Sequence, residues 1–377
     1  MSATSSVIPE ERIQWIDAVR GIALFGVLIV NLLTEFRISI FQQFLGATPG
    51  PSDSDHVVER IVALGFESKA FCLFALLFGI GLAIQFERLS AGGRRLQWLV
   101  RRLAVLLVFG LIHLLLVWNG DILTEYALAG FVALPFLLFG SRALAMTALG
   151  FLALYALGPV LLYSLPWPST AALELHVATA NRVYSSGSLA EIWRFSIHEL
   201  PLLLSLHMFV FPRTVALFLL GMFLWRTGVL RRPDEFTREA TIVAIVGIAG
   251  GVVLTIATAH PLAPVVLALG YGAALMLLSR LSVARRFLAA FAPMGRMAFT
   301  NYVLQSIVFG LIFFGYGLGQ FGRMGATAAF GLGVAVYLAQ LAFSGWWLRK
   351  YRFGPLEWLW RTLMYGVLQP MRRQQRR

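Results

Sequence analysis

His113 precedes the polar turn Asn119–Asp121 by about two helical turns in the stretch GLIHLLLVWNGDILTEYALAG, with Asp121 closing that turn and Glu125 one turn further on. A histidine within reach of a carboxylate is the arrangement a general base needs: the acid orients the imidazole and stabilises its charged form. Two plainer readings stand beside this one. A buried histidine often does no more than pair with a neighbour, and an Asp at the start of a helix is favoured as an N-cap and by the helix dipole. A second group, Glu67, Ser68 and Lys69, precedes the apolar run FCLFALLFGIG, and Lys69 is one of only two lysines, the other being Lys350. Its ammonium either snorkels out of the span or neutralises a negative substrate or intermediate. The third group is PMGRMAFTNYVLQS, where Pro293 and Gly295 lead into Arg296, Thr300, Asn301 and Tyr302, supported further on by Arg349, Lys350, Arg352 and Arg361. Basic side chains near the free N–H groups of a helix start suit phosphates, and aromatic neighbours suit a base. Ordinary membrane anchoring explains those charges but not Asn301, about two turns into an apolar helix. The opening stretch RIQWIDAVRGIALFGVLIVN adds Asp17 and Arg20 near one end and Asn31 at the other. There is no GxxxxGK[ST] phosphate loop, no HExxH or paired CxxC, and no Gly-x-Ser-x-Gly elbow.

These side chains must be held by helices in a bilayer. With 59% hydrophobic and 13% charged residues and a mean hydropathy of +0.77, 377 residues cannot cover a soluble surface. The expected fold class is all-α: a polytopic integral membrane protein of about ten transmembrane helices with an interfacial C-terminal segment. The first residues, MSATSSVIPEER, lack the pattern of a removable signal peptide, and the single Cys72 excludes an intramolecular disulfide. The net charge of +13 gathers in alternate loops: Arg88 to Arg102, Arg226 to Arg238, Arg280 to Arg286, and the tail from Arg349. That alternation is the positive-inside signature, which argues against nucleic acid and places both termini in the cytoplasm.

In chain order the expected spans fall near 16–34, 69–86, 102–118, 123–140, 143–163, 200–225, 240–259, 262–279, 291–315 and 327–347. The loop rich in Gly, Pro, Ser and Asp after the first span, GATPGPSDSDH, faces outward. So does the longest polar stretch, Pro166 to Glu199, which is partly helical and amphipathic and serves equally as a lid or as a solvated connector. The sixth span carries His207 and Arg213 at membrane depth, where an ionisable group is a functional candidate by default. At the C-terminal end, GWWLRKYRFGPLEWLWR interleaves Trp with Arg as interfacial segments do. No repeat or boundary divides the chain, so residues 1–377 form a single domain, with 365–377 as a basic cytoplasmic tail.

Four stretches, IDAVRGIALFGVLIVN, KAFCLFALLFGIGL, GLIHLLLVWNGDILTEYALAG and GRMAFTNYVLQS followed by RFGPLEWLWR, resemble the signature blocks of the YeiB-like bacterial inner-membrane family, in that family's order. The resemblance implies membership of the transmembrane acyltransferase superfamily, which includes the lysosomal heparan-α-glucosaminide N-acetyltransferase and bacterial sugar O-acyltransferases. It implies a multi-pass protein of the bacterial inner (plasma) membrane that moves an acyl group, acetyl from acetyl-CoA, to an acceptor on the periplasmic side. Asp17, Arg20, Gly21 and Asn31 match the family's Asp-x-x-Arg-Gly opening and the Asn that ends its helix. The lysosomal enzyme's catalytic His follows soon after that Asn; the corresponding stretch here, LLTEFRISIFQQF, has none, so the expectation moves to His113. The implied catalytic set is His113, Asp121, Asn31 and Lys69: a base, its orienting acid and two oxyanion stabilisers. The implied coenzyme-binding set is Asp17, Arg20, Arg296, Asn301, Tyr302 and Arg352, with no metal. The partners are acyl-CoA, an acceptor whose identity stays open, and membrane lipid; a homodimer is left open as well. The competing class is a transporter or exporter of a small solute without covalent chemistry. His113, His207, Arg213 and Gly-rich helices such as GIAGGVV also suit it, although such proteins are often built from two repeated halves.

Overall fold

A computed structural model describes residues 14–46, 52–89, 94–161 and 167–373. The opening MSATSSVIPEER, the Gly- and Pro-rich part of the first loop and the last four residues of the basic tail lie outside the described residues. Those that are described fold into helices without a β-strand; one isolated antiparallel bridge joins Tyr351 to Arg372. Helices answer the bilayer's demand that backbone polar groups find partners within their own segment.

α1 (Gln14–Asn31) runs on into a π-helical turn at Leu32–Phe36. α2 (Asp53–Gly65) and α3 (Lys69–Arg88) meet at a break around Ser68. α4 (Arg95–Leu116) and α5 (Leu123–Ala133) form a hairpin, and α5 continues as a 3-10 turn at Leu134–Leu138. α6 (Ser141–Ala156) and the single turn α7 (Gly158–Leu161) precede α8 (Thr170–Ser186) and the long α9 (Leu189–Arg226). α10 (Thr237–Val253) and α11 (Ala263–Leu278) pack as a pair, and α12 (Ser282–Ala289) turns away from α11 by 114°. α13 (Ala292–Arg296), α14 (Ala298–Phe313), α15 (Ala326–Lys350) and α16 (Pro355–Tyr365) complete the described chain.

Among the described residues six helices are long and apolar enough to cross a membrane, or seven if the bent α11–α12 pair is one span; three further apolar helices, Leu123–Leu138, Ser141–Ala156 and Ala298–Phe313, are shorter. One stretch expected to be a loop is helical, and the long polar stretch expected to be partly helical is helical over most of its length. Residues 53–65 form α2, whose Asp55 accepts a hydrogen bond from the Thr327 N–H (2.7 Å) at the start of α15. The long polar stretch forms α8 and the first turns of α9, which starts at Ser188 with a capping box rather than near residue 200.

α1 is the hub. Its apolar window is 83% buried, against 22% for Thr237–Thr258 at the rim. It crosses α13 so closely that a Cβ on Gly295 would overlap the Asp17 carbonyl oxygen, and one on Gly21 the Phe291 carbonyl. Two apolar cores flank this hub, one built largely on α3, α5, α6 and α9, the other on α1, α14 and α15. Phe74, Phe78 and Ile122 pack against both and mark the seam between them.

The close crossing is testable. Gly295→Ala is expected to lower the thermal midpoint of the detergent-solubilised protein by a few degrees, the result of about 1–3 kcal/mol of overpacking. Gly250→Ala, on α10 where nothing lies within 4 Å, is expected to leave the midpoint unchanged or raise it. Equal midpoints for the two variants would mean that α1 and α13 have room to spare.

Candidate functional site

The seam opens into a cavity of about 980 Å³. Eight arginines line it: Arg20 from α1, Arg88 from α3, Arg102 from α4, Arg296 from α13, and Arg352, Arg361, Arg372 and Arg373 from the C-terminal end. The two carboxylates in its wall are already engaged. Asp17 pairs with Arg20 at 2.8 Å, one turn along α1. Glu357 accepts from the Phe299 N–H (2.8 Å), the Thr300 N–H (3.1 Å) and the Thr300 hydroxyl (2.6 Å), which ties α16 to the first turn of α14. Burial pushes the Glu357 carboxyl above the ordinary carboxylate range, against the opposing pull of these Thr300 hydrogen bonds. The Arg102 guanidinium lies 4.5 Å from the centre of the Trp360 ring and 5.7 Å from that of Phe78; its Nε, like the Gln85 Oε1, is buried without a hydrogen-bond partner. An excess of cations, stacked arginines and unmet polar atoms in a space of this size fit a polyphosphate ligand with an aromatic base.

At its far end the cavity is floored by Ile122, Leu123, Tyr126 and Tyr302. The Tyr302 hydroxyl accepts from the Ile122 N–H (3.3 Å) and donates to the Gly120 carbonyl (3.5 Å), bracing the ring across the start of α5. Directly behind it is His113, with ring centres 5.3 Å apart. The Nδ1 of His113 is 2.9 Å from Asp121 Oδ1, and both residues are buried. Asp121 also accepts from the Leu123 N–H (3.1 Å) and the Thr124 N–H (2.7 Å), so it is at once the cap of α5 and the partner of the histidine. With an ionised carboxylate and a neutral ring, the imidazole proton sits on Nδ1 and the Nε2 lone pair is free. That Nε2 is buried with no hydrogen-bond partner.

The residues singled out in the sequence separate into three places. Asp17, Arg20, Arg296, Tyr302 and Arg352 line the one cavity. His113, Asp121 and Asn31 lie beyond its floor, with Asn31 in a tight cleft that Tyr302 shares with Gln305, Ser306 and Phe309. Lys69 and Asn301 belong to neither. The buried Lys69 ammonium donates to the Ala63 carbonyl at 2.6 Å, closing the α2–α3 break. The Asn301 amide donates to the Ser344 hydroxyl (2.9 Å), and the Gln340 amide to the Asn301 carbonyl (3.2 Å), a polar ladder between α14 and α15.

A polar cluster on the His113 side contains groups that sequence reasoning did not bring together. Glu199 accepts from the Asn119 amide (2.8 Å) and the Tyr184 hydroxyl (2.7 Å), and its other oxygen is 2.8 Å from His176 Nε2. Burial raises the Tyr184 hydroxyl well above its ordinary pKa, so it serves as a neutral donor. Glu125 holds His207 Nδ1 at 2.8 Å and the Thr214 hydroxyl at 2.5 Å. Glu35, on the π-turn after α1, lies against Gly120, where a Cβ would overlap its carboxylate. The usable signal was chemical type at depth: a carboxylate or histidine recurring near the ends of apolar helices needs a partner.

Fold and site together define a multi-pass helical membrane protein with a cationic cavity on one side of a buried His–Asp pair. The chain is 33% identical to the uncharacterized protein YxaH of Bacillus subtilis (strain 168) over 98% of each sequence. It is 28% identical to an uncharacterized 39.9 kDa protein encoded in the amylase 3′ region of Bacillus acidopullulyticus (95% of each), and 28% identical to the uncharacterized protein YeiB of Escherichia coli (strain K12), over 96% of this chain and 98% of YeiB. Residues 224–367 match the family described as a protein of unknown function, DUF418, a stretch that holds the C-terminal half of the cavity wall and Tyr302. The chain belongs to this YeiB-like family. No solved structure matches it.

The double duty of Asp121 can be measured. Asp121→Ala removes the cap and the imidazole's partner together and should cost about 3 kcal/mol of unfolding free energy in detergent. Asp121→Asn keeps one oxygen, enough for the Thr124 N–H that Oδ2 accepts, and should cost roughly half as much. Equal losses in a denaturation series would mean that the cap contributes nothing.

Proposed function

We propose that the protein is an acyltransferase of the bacterial inner membrane that takes an acetyl or other acyl group from coenzyme A on the cytoplasmic side and passes it to an acceptor hydroxyl or amine on the opposite side. The observation that carries this reading is the unpartnered, buried Nε2 of His113, one aromatic layer behind the floor of an arginine-lined cavity. The excess of arginine orients that cavity and both termini toward the cytoplasm. Counting the bent pair and the three shorter apolar helices as crossings brings the total to about ten.

In this reading the nucleotide stays among Arg20, Arg102 and Arg352, and the thin pantetheine arm runs along the seam past Phe74 and Phe78. The thioester reaches His113 when the Tyr302 ring turns aside. Nε2 takes the proton as the acceptor oxygen or nitrogen attacks the thioester carbon, and Asp121 stabilises the imidazolium. Asn31, in the cleft behind the floor, donates its amide to the tetrahedral oxyanion, and Tyr302 joins it once its hydroxyl leaves the Gly120 carbonyl. Collapse breaks the C–S bond, and the imidazolium returns its proton to the departing thiolate. The products are acylated acceptor and free coenzyme A.

In proteoliposomes supplied with labelled acetyl-CoA, His113→Ala is expected to reduce transfer by about 10²–10⁴-fold. Coenzyme A should still raise the thermal midpoint of that variant as it does for the native chain. Unchanged transfer in His113→Ala overturns the assignment. A native protein whose melting is indifferent to coenzyme A returns the family to the solute-pathway reading.

A further inference from the structure

Beyond α16 the chain makes a left-handed turn at Gly366 (φ 66) and comes back on itself. The Gln369 carbonyl accepts from the Trp358 indole at 2.7 Å; the Arg352 N–H then donates to the Met371 carbonyl at 2.9 Å, and the Arg373 N–H to the Lys350 carbonyl at 3.2 Å. The result is a short strap pinned antiparallel to the end of α15, with Pro370, Arg372 and Arg373 forming part of the cavity wall. Ordering a chain end this way costs about 1–2 kcal/mol per residue in backbone entropy. It also brings two more cations to a cavity already lined by arginines, which is repulsive unless an anion joins them.

The strap arginines differ from their neighbours. Arg20 has Asp17, Arg102 lies over Trp360, and Arg361 lies 4.6 Å from the centre of the Phe353 ring. The guanidinium groups of Arg372 and Arg373 are exposed and, among the described residues, make no hydrogen bond or ion pair with the protein. The strap also adjoins the Arg101–Arg102 end of α4 rather than its His113 end. The Trp360 indole donates to the Arg102 carbonyl, which pins α16 at the level of Arg102; the strap follows α16, and His113 is eleven residues further along α4, about 16 Å away.

We propose that the strap holds the terminal phosphomonoester of a nucleotide, with Arg372 and Arg373 as its ligands. This assignment rests on the coenzyme A reading above: a ligand whose thioester lies at the floor presents its phosphorylated adenosine at the opposite end. A phosphomonoester carries a charge of about −1.5 to −2 at neutral pH, which matches two guanidinium groups.

The test compares adenosine 3′,5′-bisphosphate with adenosine 5′-monophosphate, by calorimetry on the full-length protein in detergent. The native chain is expected to bind the bisphosphate at least tenfold more tightly. Arg372→Ala/Arg373→Ala should reduce that preference to less than threefold, and Arg372→Lys/Arg373→Lys should restore part of it. A chain ending at Gln369 should lose the preference as the Ala pair does, a control that removes the strap without touching the helices. A native protein with no preference, or an Ala pair that keeps it, overturns the assignment. The coenzyme reading is scored separately. If the preference depends on the strap but acetyl-CoA supports no transfer, the strap site stands and the acyltransferase falls. If transfer proceeds and the Ala pair distinguishes coenzyme A from its dephospho form as well as the native chain does, the strap assignment fails alone.

Discussion

A carboxylate buried in an apolar bundle must be met by donors or it will not stay charged, and Asp121 meets that requirement three times: from two backbone N–H groups of α5 and from the His113 imidazole. Much of the local architecture follows. The short turn between α4 and α5 brings the two residues together, and Gly120 in that turn gives up its side chain so that Glu35 and Trp118 can close over it. Because the backbone takes two of the lone pairs, the carboxylate cannot rotate away from the imidazole, and the imidazole's other nitrogen keeps one direction.

The cavity exists because two apolar cores meet along α1 without fusing. At the hub, Gly21 and Gly295 let α1 and α13 touch backbone to backbone, which draws Asp17, Arg20 and Arg296 to one edge of the seam. Phe74 and Phe78 on α3 keep the seam apolar between the arginines and the floor. The arginines and the His113–Asp121 pair are thereby kept apart by a strip of aromatic side chains.

Much of this is legible in the sequence, and the illegible parts have identifiable causes. Composition and run length give the helical class, and the gathering of arginines between apolar runs anticipates a cationic edge. The His113–Asp121 contact can be read because its partners flank one tight turn, where proximity is local. Contacts across distant helices cannot be read that way. Asn301 has the appearance of a ligand because it lies inside an apolar helix; its side-chain amide meets Ser344 and its backbone carbonyl Gln340, some forty residues on, while its Oδ1 is buried without a hydrogen-bond partner. Glu199 falls at the edge of the long polar stretch; it takes helix α8 folding back over α9 to give it His176 and Tyr184, and the α4–α5 turn to give it Asn119. Lys69 reads either as a snorkelling cation or as an oxyanion stabiliser; the break before α3 turns it onto the Ala63 carbonyl, a contact no local pattern announces. Helical periodicity tells which face of a helix a residue occupies but not which neighbour that face meets.

The Tyr302 ring is a wall common to the broad cavity and to the cleft that holds Asn31. Were the broad cavity filled with water in a membrane that sustains a voltage, it would carry the potential of its own compartment inward as far as that ring, and the field would fall across the buried layer beyond it. Moving one elementary charge through the full drop is worth about 2.3 kcal/mol per 100 mV. A proton or charged group passing between Tyr302 and His113 would therefore be coupled to the energised state of the cell, and the same phenol would act as electrical insulation for the bundle.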